Sequence, residues 1–221
     1  MQWIVGGGPV MYPLLVCSVV ALAVIIERAI SLRKRQVIKP ELVRLIHDIR
    51  DVRDVPMAFS KCQVIKGPFS TIIKNTLTNL HLSWTEKLHE IEVTGREEAK
   101  NLEKNNNILW TLAAVGPLMG LFGTITGLDM IFEAIGISGL GDPKIFSSGL
   151  AQALRTTIMG IAVAIPSTIA ASVFDQKVDT IANEMERLST VLLNKLYASK
   201  ARMERPERLE ELKFHRPSER T

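Results

Sequence analysis

Three stretches of this sequence carry no charged residue: 2–26, 105–128 and 156–174. Each is close to the roughly 20 residues that cross a hydrocarbon core of about 30 Å at about 1.5 Å per residue. The chain between and after them is densely charged, so the overall 47% hydrophobic and 23% charged content hides a sharp segregation. In lipid every backbone polar group must be satisfied within the segment, which selects helices. The pattern predicts an all-α integral membrane protein with three transmembrane helices and a large soluble portion.

The first run contains Ala21-Leu22-Ala23, which mimics a signal-peptide cleavage site. A signal peptide carries its positive charges before the apolar run. Here none precedes it, and Arg28, Arg33, Lys34, Arg35 and Lys39 follow. The positive-inside rule then predicts an uncleaved span with the N-terminus outside and the C-terminus in the cytoplasm. The net charge of +4 reflects basic residues interleaved with acids throughout, which argues against a nucleic-acid partner. Cys17 and Cys62 fall in different segments and form no disulfide framework. His47, His81, His89 and His215 lack metal-ligand spacing. With no Gly-rich phosphate loop and no nucleophile elbow, the sequence predicts no metal, no cofactor and no enzyme.

In order, residues 1–30 read as an outer N-terminus and transmembrane helix one, the helix running from about Val10 to Ile30. Residues 31–104 read as a cytoplasmic helical segment punctuated by Pro40, Pro56 and Gly67-Pro68. Its last part is predicted to be one long helix continuing into the second span, 105–133, with Trp110 near the interface. An outer loop, 134–149, contains GISGLGDP. The third span, 150–174, continues as a cytoplasmic helix over 175–200. A stripe of Phe174, Val178, Ile181, Met185, Leu188, Leu192 and Leu196, stepping by three and four, marks it as a single helix of about 45 residues and about 65 Å. Residues 201–221 mix Arg, Glu and Pro and read as a disordered tail. Helices two and three are thus expected to extend into a cytoplasmic helical bundle.

The spans are unusual in their small residues. At about 100° per residue, Gly116, Gly120, Gly123 and Gly127 share one face of the second span. In the third, Ala153, Thr156, Thr157, Gly160, Ala164, Ser167 and Ala171 share a face opposite Leu154, Ile158, Ile161, Ile165 and Ile169. Small residues let helix backbones approach closely. On their own the stripes read first as ordinary bundle packing, with close contact around a pore as the second reading. Thr126 and Thr168 are expected to bond to the carbonyl one turn back, and the same reading is open for Thr124 and Thr157.

The segments GPLMGLFGTITGL and LAQALRTTIMGIAVAIPS, in this order, resemble the second and third spans of the MotA/TolQ/ExbB proton channel family, in its ExbB/TolQ branch. The carriers are Gly116, Pro117, Gly120, Leu121, Gly123, Thr124 and Gly127, then Ala153, Leu154, Thr157, Gly160, Ala164, Ile165 and Pro166, together with the IIER of Ile25 to Arg28. The resemblance covers roughly residues 9–198. It implies a subunit of an ion-driven motor in the bacterial inner membrane. Such subunits form pentamers around the single helices of an ExbD/TolR-like partner dimer and pass work to the cell envelope, in some systems through a TonB/TolA-like protein. It also implies that Thr124 and Thr157 line the pore near the partner's essential aspartate, with Gln152 and Thr156 as further candidates for the ion pathway. Gly116, Gly120, Gly123, Gly127, Gly160 and Ala164 are the candidate helix-packing residues.

This chain departs from the pattern at Gln152, where the family usually has Glu. Gln152 reads either as a polar packing residue or as a pore-lining hydrogen bonder. Arg155 either snorkels to the outer headgroups or forms an ion pair, with a neighbouring subunit or with Asp129 or Glu133. Residues 108–128 and 156–174 contain no carboxylate and no histidine, so no group in these cores titrates near neutral pH. Two other readings compete: a structural scaffold assembled through the small-residue faces without ion flux, and a small secondary transporter. Three spans offer no inverted repeat, which weakens the transporter.

Overall fold

The computed structural model describes residues 6–138 and 143–214. All regular structure among the described residues is helical. The helices are α1 (Met11–Ser31), α2 (Lys34–Val37), α3 (Pro40–Asp48), α4 (Val55–Val64), α5 (Pro68–Leu77), α6 (Trp84–Glu103), α7 (Asn106–Ser138) and α8 (Pro143–Phe214), with a 3-10 turn at Val52–Asp54. Three of them, α1, α7 and α8, contain segments long and apolar enough to cross a membrane. The chain divides into two compact units, one of Met1–Leu32 with Glu103–Lys177, the other of Arg33–Leu102 with Val178–Thr221.

The first unit holds α1, α7 and the first part of α8. Only 17%, 22% and 33% of the most apolar stretch of the three spans is buried within the chain. Their remaining surface is therefore left for lipid or further helices. It is built accordingly: Val16, Leu22 and Ile26 on α1, Leu118, Phe122 and Ile125 on α7, and Leu154, Ile158 and Ile165 on α8 all point outward. In water this surface would drive aggregation, whereas in hydrocarbon it carries no penalty. Inside, α1 buries Met11, Leu14 and Ala21. Near its end Arg28 is buried with only 5% exposed, its guanidinium donating to both carboxylate oxygens of Glu27 at 2.8 and 3.1 Å.

The second unit has its own apolar core. Leu42, Ile46, Phe69, Ile72, Ile73 and Ile91 close against Ile181, Met185, Leu192 and Leu196 of α8. The short helices are set by local signals. Pro40 and Pro68 each occupy a first-turn position, where the missing N–H costs nothing. Gly67, ahead of Pro68, has φ +154°, which a side chain would strain although open space surrounds it. Carbonyls of a loop and of the end of α3 are tied to α8 by its own polar side chains. Tyr197 donates to Leu82 O at 2.6 Å, Lys200 Nζ to Leu80 O at 3.0 Å, and Lys195 Nζ to Ile46 O at 2.9 Å. The Lys87 side chain is fully buried and its ammonium is paired with Glu90 and Asn75 O.

Three boundaries differ from the sequence expectation. The predicted continuous helix into the second span is interrupted at residues 104–105, between α6 and α7. Asn105, Asn106 and Asn107 stand there, and asparagine side chains compete with helical backbone bonds. The predicted outer loop, 134–149, is largely helix, because α7 runs on to Ser138 and α8 begins at Pro143. Residues 139–142 lie outside the described residues. At the other end α8 continues beyond Lys200, where the tail was expected, as far as Phe214. Good helix formers at Ala201, Arg202, Met203 and Glu204 extend it. The rest of the predicted tail, with His215, lies outside the described residues.

Candidate functional site

The glycines of α7 meet the small residues of α8 along a seam within one chain. A β-carbon built on Gly116 would lie 2.9 Å from Gly160 O, and one on Gly120 would lie 3.1 Å from Thr157 Cα. One on Gly123 would overlap the Thr156 side chain, and one on Gly127 would lie 3.1 Å from Ala153 Cβ. From the other side, one on Gly160 would lie 2.5 Å from Gly116 O, and Ala164 packs against Gly116. The two backbones are therefore in contact over about three turns, a distance that only glycine permits.

The hydroxyls are satisfied along this seam. Thr124 donates to Leu121 O at 2.6 Å, Thr126 to Gly123 O at 3.0 Å, and Thr168 to Ala164 O at 2.9 Å. Thr156 is fully buried and donates to Ala153 O at 2.8 Å. Thr157 differs from these: its hydroxyl is shared between Ala153 O in its own helix and Gly120 O of α7, both at 3.4 Å. Thr124 and Thr157 are partly exposed, whereas Thr156 is enclosed.

At one end of the seam the N-terminal segment is held against α8. Gly8 has φ +71°, and any β-carbon there would collide with the Gln152 amide. Gln152 Nε2 also reaches Met130 Sδ at 3.8 Å. Arg155 Nη1 donates to Gly6 O at 3.2 Å. Among the described residues Arg155 forms no ion pair with Asp129 or Glu133, both of which are exposed. Its partner inside the chain is a backbone carbonyl.

At the other end lies a polar cluster that the sequence reading missed. Asn106 is fully buried, and its amide donates to Ala171 O at 2.9 Å and to Asp175 Oδ1. Trp110 Nε1 donates to Asp175 Oδ2 at 2.8 Å. Asn106 and Trp110 are one helical turn apart, so both meet the same carboxylate. The signal was present as the Asn and Trp at the head of the charge-free run, but their partner is 65 or more residues away.

The sequence profile of the MotA/TolQ/ExbB proton channel family matches residues 65–187. The matched segment contains α7 and the part of α8 that forms the seam. This chain belongs to that family. Among its relatives is the "Putative biopolymer transport protein ExbB-like 3" of Synechocystis, 33% identical over 178 residues, which cover 76% of this chain and 81% of the relative. The "Biopolymer transport protein ExbB" of Helicobacter pylori is 38% identical over 90 residues, covering 41% of this chain and 62% of the relative. The "Tol-Pal system protein TolQ" of Haemophilus influenzae is 29% identical over 125 residues, covering 55% of this chain and 50% of the relative. The chain thus spans less than two thirds of the length of several curated relatives it matches. It is a multi-pass membrane protein of a transport-related channel family.

Proposed function

We propose that this chain is the ring-forming subunit of an ion-driven inner-membrane motor of the ExbB/TolQ type. Five copies surround an ExbD/TolR-like single-span partner dimer, and flow of H⁺ or Na⁺ is coupled to mechanical work on the cell envelope through a TonB/TolA-like protein. The N-terminus is periplasmic and the C-terminus cytoplasmic.

One observation carries this reading. The span cores, residues 108–128 and 156–174, offer hydroxyls but no titratable group, so a moving proton has no carrier in this chain at that depth. The carboxylate comes from the partner helix. Thr157 and Thr124, partly exposed on the two facing helices, hydrogen-bond that carboxylate or its hydrating water. Thr156 is enclosed and internally bonded, and Gln152 is held against Gly8, so both belong to the support of the pathway and not to its wall.

The test is ion flux in reconstituted vesicles. The chain alone is expected to be silent, and co-reconstitution with a single-span partner bearing an intramembrane aspartate is expected to produce flux. Flux from the chain alone would contradict the reading. Stable complexes without flux would favour the structural scaffold.

A further inference from the structure

The helical unit of residues 33–102 and 178–221 contains a cleft of about 950 Å³ between the end of α3 and the later turns of α8. This lies within the range of small-ligand sites. Three arginines and a lysine line it: Arg50, Arg53, Arg202 and Lys195. The one carboxylate in the lining, Asp51, is already engaged, accepting from Ser199 Oγ at 2.5 Å and from Val52 N at 2.6 Å. Lys195 is fixed in place, its ammonium donating to Ile46 O at 2.9 Å and His47 O at 3.3 Å. Among the described residues Arg50 and Arg202 form no ion pair through their side chains. Four cationic side chains against the one carboxylate of Asp51 leave the lining net positive, which favours an anion in the concavity.

We propose that this cleft binds a small polyanion through its phosphate groups. Guanidinium groups match phosphate oxygens in pairs, and Arg50, Arg53 and Arg202 supply three such forks. No Phe, Tyr or Trp is among the lining residues and His47 supplies the one aromatic ring, so the three guanidinium groups dominate recognition and act on the phosphates. A volume of about 950 Å³ exceeds what a single phosphate fills, which favours a ligand with two or more charged groups. The lining residues of α8 begin at Lys195, about 30 Å of helix past the end of the charge-free run at Phe174 and out of reach of a lipid headgroup, so the occupant is a free pyrophosphate-like anion.

The experiment uses the full chain. Pyrophosphate is titrated into the detergent-solubilised protein at low and moderate salt, followed by calorimetry. In parallel, native mass spectrometry counts phosphatidylglycerol retained from nanodiscs containing it. Arg50 and Arg202 are exposed, so Arg50→Gln with Arg202→Gln removes charge without opening the core. The lysine pair, Arg50→Lys with Arg202→Lys, keeps the charge and checks the fold, and exposed Arg96→Gln is the control. Pyrophosphate binding that weakens at least about tenfold in the glutamine pair, and is largely kept in the lysine pair and the control, supports a free polyanion. Retained lipid lost in the glutamine pair alone, with no pyrophosphate binding, would overturn the proposal in favour of a headgroup. Equal binding by wild type and glutamine pair overturns the proposal. So does binding of polyglutamate with no binding of either phosphate compound, which would make the cleft a docking site for an acidic peptide.

Discussion

The hydroxyl of Thr157 lies 3.4 Å from the carbonyl oxygen of Gly120 on the facing helix. That approach exists because Gly120 has no side chain: a β-carbon there would lie 3.1 Å from Thr157 Cα and 3.2 Å from Thr156 O. The glycine face and the threonine are therefore one feature. The close helix contact brings the Thr157 hydroxyl up to a backbone acceptor of the facing helix.

Because the seam is internal to one chain, bulky substitutions in it should damage the subunit before they damage any ring. Gly120→Leu and Gly123→Leu force the two helices apart, and overpacking of this kind costs about 1–3 kcal/mol or more. Each variant is expected to lower the thermal midpoint in detergent and increase proteolysis. Wild-type midpoints in both would mean that α7 and α8 are not packed this closely.

Asn106 and Trp110 converge on Asp175. Asn106→Leu removes both buried donors and leaves the carboxylate and Ala171 O short of a partner, at a cost of about 1–3 kcal/mol. Asp175→Asn keeps the shape and is expected to cost less. Thermal unfolding of both variants checks the order. A neutral Asn106→Leu would show that the cluster contributes no stability.

Much of this was legible in the sequence because the signals are local. Charge-free runs mark the spans, and the 100° periodicity gathers Gly116, Gly120, Gly123 and Gly127 on one face. What periodicity does not contain is the identity of the facing surface. The stripe of Gly160 and Ala164 turned out to meet those same glycines inside the chain. Contacts that depend on register between distant segments were also hidden. Asp175 reads as an ordinary residue past a span, and Gly8 gives no local hint that it accommodates Gln152. The three asparagines lie within the predicted continuous helix, which the structure breaks at residues 104–105.

Two carboxylates outside the spans predict the acid limb of stability. A hydrogen bond from Ser199, with that of Val52 N and the charge of Arg53, holds Asp51 below the ordinary aspartate range. Hydrogen bonds from the Ser83 backbone and hydroxyl do the same for Glu86. Groups depressed in the folded state contribute stability that is complete above the unfolded pKa and lost as pH falls through the folded one. Stability should therefore be flat in this respect from pH 7 to about 5 and decline below about 4. Ser199→Ala should make that decline shallower. Identical acid limbs in the two proteins would remove Ser199 as the cause.

The proposed orientation is tested by labelling single cysteines. Gly6 lies before α1, and Ala201 is exposed near the far end of the described chain, whereas neighbouring Ser199 is only 9% exposed and unsuited. A membrane-impermeant reagent applied to intact spheroplasts should label Gly6→Cys and leave Ala201→Cys untouched. Labelling of both would contradict an N-out, C-in topology.

The most direct test compares Thr157→Val with Thr157→Ser, scoring motor-dependent growth beside ring size by native mass spectrometry. Valine keeps the shape of threonine and loses only the hydroxyl. The hydrogen bonds it gives up are long, at 3.4 Å, so the loss of stability should fall at or below the low end of about 0.5–1.5 kcal/mol. The account predicts an intact ring without function for valine, and partial function for serine. A Thr157→Val protein that supports full growth would return Thr157 to a purely structural role and contradict the proposed ion pathway.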